Sequence, residues 1–302
     1  MKEDITTIVH KGFSTWKRNL AICVPFILEI LSTVFLVLVS LVLFAAFFIL
    51  PAATAGSLDP EQLTPDEFMA ITGSLLTGSF WSLLAFGIVF VLIYILIQSF
   101  FLAGAIGMSK EASERGDTSI RDMSEYGMKN LVNMFFTRIL VLLISLAGII
   151  FLIPGILSVG DLGVLIDNPQ QAIAGTFMLF FGLIFWLFYL LVVSIALIFV
   201  QYALVLDGLD PISAIEKGVS VFLSNKSSTM GLWLFLMAIA VMSGLIGELA
   251  GYVEALSQIW SLTDFMLTLL VIQPLTIIWW TRLYLNRSGR KLYSLEDYIL
   301  NQ

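Results

Sequence analysis

Six apolar stretches, each long enough to cross a bilayer, constrain this chain more than any other feature. A spanning helix needs roughly 17–25 mostly apolar residues, because a helix rises about 1.5 Å per residue and the hydrocarbon core is about 30 Å thick. The stretches lie near Leu20–Leu50, Leu75–Met108, Phe135–Leu157, Gly175–Leu206, Thr229–Gly247 and Phe265–Leu283. The first runs about 31 residues, or ~46 Å, so it must tilt or reach into the headgroups. Pro51 and the Pro/Gly/Thr-rich run after it end that span, and the sixth, which contains Gln273-Pro274, is the shortest. Composition agrees. Hydrophobic residues make up 59% and charged residues 12% of the chain, against about 45–50% and about 25% in soluble domains. With a mean hydropathy of +0.99, a water-soluble globule and a disordered or fibrous chain are excluded. The expected fold is an all-α integral membrane protein, one polytopic domain over residues 1–302.

Cationic residues set the direction. Lys2, Lys11, Lys17 and Arg18 precede span one. Lys110, Arg115, Arg121, Lys129 and Arg138 fall between spans two and three or just inside the third, and Lys217 and Lys226 between four and five. Arg282, Arg287, Arg290 and Lys291 end or follow span six, which accounts for all 15 Lys and Arg. The three opposite loops carry only acids: Asp59, Glu61, Asp66 and Glu67; Asp161 and Asp167; Glu248, Glu254 and Asp264. Because Lys and Arg in short loops are retained inside, both termini are expected in the cytoplasm of a multi-pass cell-membrane protein. Six tryptophans sit near the expected interfaces, Trp16, Trp233, Trp279 and Trp280 inside and Trp81 and Trp260 outside, with Trp186 the exception. The first apolar stretch is too long for a cleavable signal peptide and reads as a retained anchor.

Each pair of spans is preceded on the basic side by a short amphipathic segment. The first runs from Asp4 to Asn19, with Ile5, Ile8, Val9, Gly12, Phe13 and Trp16 on one helical face. The second runs from Ser119 through Met123 and Gly127 to Asn133, and the third from Asp210 through Ile215 and Gly218 to Asn225. Ser119 with Asp122, and Asp210 before Pro211, are helix-start signals. Superposing Gly12, Gly127 and Gly218 aligns the three asparagines to within one residue. The chain therefore reads as three repeats of interfacial amphipathic helix plus transmembrane hairpin, near 1–108, 117–206 and 210–285, with a cytoplasmic tail at 286–302. A flat helix in the headgroup layer is the plain reading of each segment, and a partner-binding or gating helix the alternative.

The stretch Gln201-Tyr-Ala-Leu-Val-Leu-Asp-Gly-Leu-Asp-Pro-Ile-Ser-Ala-Ile-Glu-Lys-Gly218, continuing to Asn225 and Trp233, resembles a recurring pattern. A span ends in an acid, a short Ala/Ile helix and a basic-small pair follow, and an aromatic residue opens the next span. The opening Gly12-Phe-Ser-Thr-Trp-Lys-Arg-Asn-Leu-Ala-Ile-Cys-Val-Pro-Phe26 is similar to the start of archaeal and bacterial members. Together they resemble uncharacterised six-span families related to the membrane domain of glycerophosphoryl diester phosphodiesterases. Gly218 stands where that pattern often has serine. The resemblance implies an all-α six-span fold and no activity, since the resembling part is not the catalytic part.

Motifs for chemistry are absent. There is no HExxH, CxxC or Walker A loop. The single Cys23 and single His10 offer neither a disulfide nor a metal set, and His10 beside Lys11 reads as a headgroup contact. The acidic run at Asp59–Glu67 lacks the ligand spacing of a calcium loop. A net charge of −7 and a pI near 4.7 argue against nucleic acid. No catalytic residue, metal or cofactor is expected.

Polar residues inside the spans are the better clue, because hydrocarbon makes them costly. Glu29 lies about ten residues, or ~15 Å, past Asn19. Arg138 lies in the same half of the membrane and would either pair with Glu29 or snorkel to phosphates. Gln98, Gln201 and Gln273 recur in the even-numbered spans, either lining one polar cleft or bonding across helices. Gln273-Pro274 frees a backbone carbonyl and would make a hinge or a polar notch. Gly244, Gly247 and Gly251 read as close helix packing.

The expected function is a non-enzymatic membrane scaffold or lipid-interacting module. Its partners would be the bilayer, a bound lipid, and a protein docked at the cytoplasmic face through Ser294–Ile299. The alternative is a small transporter or channel with its polar site around Glu29. Mitochondrial carriers also form three hairpins in a chain of this size, but their proline-acid-basic signature is missing here. A lipid-active enzyme would need a convergent nucleophilic or acidic set that the sequence does not display.

Overall fold

The computed structural model describes residues 3–50, 73, 78–159 and 173–293. The acids Asp59, Glu61, Asp66, Glu67, Asp161 and Asp167 and the tail segment Ser294–Ile299 lie outside the described residues. Regular structure among the described residues is entirely helical. Helix α1 is Ile5–Arg18, α2 Val24–Phe44, α3 Phe80–Glu114, α4 Ile120–Leu146, α5 Ile153–Val159 and α6 Ile173–Ala196. Then follow α7 Val200–Asp207, α8 Pro211–Ser224, α9 Lys226–Ala250, α10 Glu254–Leu267 and α11 Gln273–Arg287. Short 3-10 and π turns join several of these into six runs long and apolar enough to cross a membrane: Leu20–Ile49, Phe80–Glu114, Ile120–Ser158, Ile173–Asp207, Lys226–Ala250 and Glu254–Arg287.

The helix starts follow from side chains that satisfy orphan backbone donors. The Thr7 amide donates to Asp4 Oδ1 at 2.8 Å, and the Ile212 and Ser213 amides donate to Asp210 Oδ2 at 3.2 Å. Ser119 and Asp122 form a capping box. Asn19 and Asn225 end α1 and α8 alike: each amide donates to the carbonyl four residues back, Asn19 to Thr15 at 3.0 Å and Asn225 to Val221 at 2.9 Å. The middle segment differs. Ile120–Leu146 is one continuous helix with no break at Asn133, and Asn130 instead donates to Tyr126 O. The helix boundaries therefore do not reproduce three equal units.

Three further expectations change. Span six is not the shortest: it begins at Glu254 and runs 34 residues, while span five has 25. Glu254 and Asp264 are thus helical rather than loop residues. The polar residues Ser257, Gln258, Ser261, Thr263 and Asp264 hid this first part from an apolarity criterion. Trp279 and Trp280 are buried in the core rather than exposed on the surface. The Trp279 indole N–H donates to Val9 O at 3.1 Å, and the Trp280 ring lies edge-on to Phe199. Of the three glycines near the end of span five, only Gly247 packs closely on another helix, against Trp260; a Cβ on Gly244 would meet nothing.

The core sits at the basic end, where the last turns of α3, α7 and α11 meet. Ala103, Ile106, Met108, Ala112, Val200, Tyr202–Leu206 and Ile278–Leu285 are buried there, while the other halves expose large apolar residues such as Phe35, Trp81 and Phe188. Lipid tails are as apolar as leucine, so this exposure carries no hydrophobic penalty in a bilayer. The three aligned glycines let helices approach this core. A Cβ on Gly12 would lie 2.3 Å from the Trp279 ring, one on Gly127 3.0 Å from Phe100 O, and one on Gly218 2.7 Å from Val200 N. Each therefore abuts an even-numbered span: the sixth, the second and the fourth.

A polar network fastens the chain's start to the end of span six. Arg282, 2% exposed, forks onto Glu3 with Nε–Oε2 at 2.9 Å and Nη2–Oε1 at 2.8 Å. Lys11 reaches Glu3 Oε1 at 2.9 Å, and Arg287 Nη2 donates to Glu3 O at 2.9 Å. Burial pushes the Glu3 carboxyl up, but the hydrogen bonds and positive charges of Arg282 and Lys11 more than offset it, leaving it below the ordinary range. Asp207 accepts from Tyr284 Oη at 2.5 Å and from Arg290 Nη2 at 2.6 Å.

Breaks within spans are sealed by aromatic donors. Pro274 has no N–H for the Leu270 carbonyl four residues earlier. That carbonyl accepts from Trp16 Nε1 and from Cys23 Sγ, both at 3.1 Å. Where span three tightens at Ala147–Leu152, Tyr189 Oη donates to Ile144 O at 2.6 Å and Trp186 Nε1 to Ser145 O at 3.4 Å. This places Trp186, the tryptophan away from any expected interface.

Candidate functional site

The structure brings three of the five sequence-derived polar residues together. Glu29 lies on α2, Gln98 on α3 and Arg138 on α4, and α3 packs along both neighbours. The Glu29 carboxylate interacts with the charge of Arg138 and with the Gln98 amide. Arg138 in turn faces Glu29 and the Tyr94 phenol. Gln98 Nε2 donates to Tyr94 Oη. All four are half-buried, and Glu29 and Arg138 do not close into an ion pair within 4.0 Å. Glu29 and Arg138 thus stand near each other without a direct ion pair.

Gln201 on α7 and Gln273 at the start of α11 are also half-buried. Neither makes a side-chain hydrogen bond among the described residues, so no bonded cleft of three glutamines forms. The carbonyl freed by Pro274 is covered by Trp16 and Cys23 and leaves no open polar notch there. Tyr94 was missed in the sequence, although it precedes Gln98 by four residues and so shares its helical face. A second polar contact was also missed: Ser243 Oγ donates to Asp264 Oδ1 between spans five and six.

One turn beyond Glu29, α2 and α3 part to form a groove of about 540 Å³, within the range of about 300–1,000 Å³ usual for small-molecule sites. Leu31, Ser32, Phe35, Leu36 and Val39 line it from α2, and Ile93 and Ile97 from α3. Ser32 is the one polar residue among these. The wall residues Leu31 and Phe35 are 60% and 68% exposed, so the groove opens sideways toward the lipid. From Leu31 to Val39 it follows α2 for about 12 Å. Ile97 adjoins Gln98 and Ser32 follows Glu29 by three residues in sequence, while Glu29, Gln98, Tyr94 and Arg138 do not themselves line the groove.

No group of three or more His, Cys, Asp or Glu able to hold a metal ion occurs among the described residues. His10 is exposed on α1. At the basic end, buried Glu111 accepts from Tyr126 Oη at 2.5 Å and pairs with Arg115 Nε at 2.8 Å, an arrangement that joins α3 to α4.

The model of a family described as a domain of unknown function, DUF7847, matches residues 34–283. An uncharacterised protein of the archaeon Archaeoglobus fulgidus is 26% identical over 300 residues, covering 95% of this chain and 97% of that protein. No solved structure matches. Nothing in these comparisons links the chain to the membrane domain of glycerophosphoryl diester phosphodiesterases.

Proposed function

This chain belongs to the DUF7847 family, and from its own geometry we propose that it is a non-enzymatic, lipid-interacting protein of the cell membrane. The observation that carries this is the sideways-open apolar groove between α2 and α3. A lipid chain can use such a surface, an apolar wall about 12 Å long with its sides exposed. The basic end, with both termini, faces the cytoplasm, supported by the one-sided distribution of Lys and Arg. Helices α1 and α8 lie in the headgroup layer at that face, supported by their alternation of apolar and charged residues. A transport path around Glu29 has less support, since Gln201 and Gln273 do not bond into the cluster and the Leu270 carbonyl is covered.

Native mass spectrometry of the detergent-purified protein, followed by lipid extraction, tests this reading. The wild type is expected to carry one tightly held lipid per chain, and Ser32→Trp, which fills the groove, to lose it. A wild-type protein stripped bare under the same wash overturns the reading. Co-purification of a stoichiometric polypeptide instead would favour the scaffold alternative.

A further inference from the structure

We infer that the end of α1 binds the phosphate of an anionic lipid head through Lys17 and Arg18. The inference is independent of the groove and rests only on α1 lying in the headgroup layer, as in the reading above. Both side chains are exposed on the last turn of α1, within three residues of Leu20, where span one opens. No carboxylate of the described residues lies within 4.0 Å of either, the exposed Asp117 beside Gly116 included. Aromatic rings hold them instead. The Lys17 ammonium stands 4.7 Å from the Phe13 ring centroid and the Arg18 guanidinium 4.9 Å from that of Tyr293. A ring face attracts the charge without taking up the N–H groups as a carboxylate would.

Cations at a helix C-terminus often bond its last carbonyls. Here Asn19 does most of that work. Its backbone N–H donates to Thr15 O at 3.1 Å and Trp16 O at 3.0 Å, and its side-chain amide to Thr15 O at 3.0 Å. Arg18 commits only Nε, to Ser14 O at 3.4 Å. Among the described residues, Lys17 Nζ and both Arg18 Nη groups therefore keep their donors for a group from outside. Asn19 also donates to Gly116 O at 3.1 Å, which fixes the end of α1 on the turn between α3 and α4. Two neighbouring cations on a fixed helix end suit a phosphate anion. Phe13 and Leu20, 39% and 58% exposed beside them, suit an anion that arrives with apolar chains. A zwitterionic head would bring its own ammonium to the same place, whereas a head charged only at its phosphate does not.

The test offers the detergent-purified, full-length protein dioleoyl phosphatidylglycerol and dioleoyl phosphatidylcholine in competition, and reads binding by native mass spectrometry. The wild type should prefer phosphatidylglycerol at least about fivefold. Lys17→Gln with Arg18→Gln should bring the two lipids to parity, and the charge-preserving Lys17→Arg with Arg18→Lys should keep the preference. Lys217→Gln with Lys226→Gln removes two exposed cations elsewhere at the basic end and should leave it unchanged. A wild type without preference overturns the site. Equal loss in the two neutralised proteins also overturns it, in favour of a diffuse attraction by the whole basic face. Ser32→Trp should keep the preference while losing the co-purified lipid, so the two readings fail separately. Loss of the preference in Ser32→Trp would move it to the groove and overturn the site at α1.

Discussion

The Trp16 indole N–H donates to the Leu270 carbonyl, at 3.1 Å, across 254 residues of sequence. Pro274 supplies the reason, because it cannot make the helical bond to that carbonyl. In hydrocarbon an unpaired carbonyl costs free energy, so the break in span six is closed by α1 and by Cys23 beyond it. A position that sequence suggested as a hinge or notch is instead a lock between the two ends of the chain.

Trp16→Phe keeps the aromatic bulk but removes the donor, leaving Cys23 as the remaining cover. It should destabilise the protein by about 1 kcal/mol, within the range for an under-satisfied buried acceptor. Pro274→Ala restores an N–H for Leu270 within the helix. In that background Trp16→Phe should cost measurably less, and the difference is the coupling between the two sites. Thermal unfolding of all four proteins in one detergent measures it. Equal cost in both backgrounds would show that Trp16 acts through packing alone.

The aligned glycines should not be interchangeable with other glycines of the chain. A Cβ on Gly218 would lie 2.7 Å from the Val200 backbone nitrogen, which cannot swing aside. Gly218→Ala should therefore cost about 1–3 kcal/mol, as overpacking does. Gly244 is helical and meets nothing within 4 Å. Gly244→Ala should be neutral or stabilising by up to about 1 kcal/mol, since alanine is the better helix former. Midpoint shifts of opposite sign are the expected result, and a Gly218→Ala protein as stable as wild type would contradict the close approach.

Much of the fold was legible in the sequence because lipid solvation imposes a simple rule: a run of apolar residues long enough to span must pair its own backbone. That rule located all six spans, and local capping chemistry at Ser119 and Asp210 located two of the helix starts. It failed where polarity and helicity part company. Asp264 is polar yet helical, because Ser243 of the neighbouring span satisfies its carboxylate. Arg282 and Glu3 lie at opposite ends of the chain, and no local pattern could have paired them. Within the site, Glu29, Gln98 and Arg138 were legible as costly intramembrane groups. The groove was not, because it depends on how α2 packs against α3 along Leu31–Val39 and Ile93–Ile97.

Acid should loosen the attachment of the N-terminus. The Glu3 carboxyl titrates lower in the folded protein than in the unfolded chain, so its contribution to stability is complete above the ordinary glutamate range, about 4.3. That contribution fades as pH falls through the depressed folded value. Unfolding midpoints measured from pH 7 down to about pH 3 should decline in wild type more steeply than in Glu3→Gln, which starts lower because buried Arg282 has lost its charged partner. Parallel profiles for the two proteins would remove Glu3 from the acid response.

Orientation can be read in intact cells with a membrane-impermeant maleimide, in a Cys23→Ser background that removes the native thiol. Tyr252 lies in the turn between α9 and α10 and is 82% exposed. Ser220 is an exposed residue of α8, at the end that carries Lys217 and Lys226. Because cationic segments resist translocation, Tyr252→Cys should react with the reagent in intact cells. Ser220→Cys should react only after the membrane is opened. The reverse pattern would invert the topology and place the polar network of Glu3, Arg282 and Arg287 on the outer face. Labelling of both positions in intact cells would break the six-span count itself, since α8 and the turn after α9 are separated by one crossing.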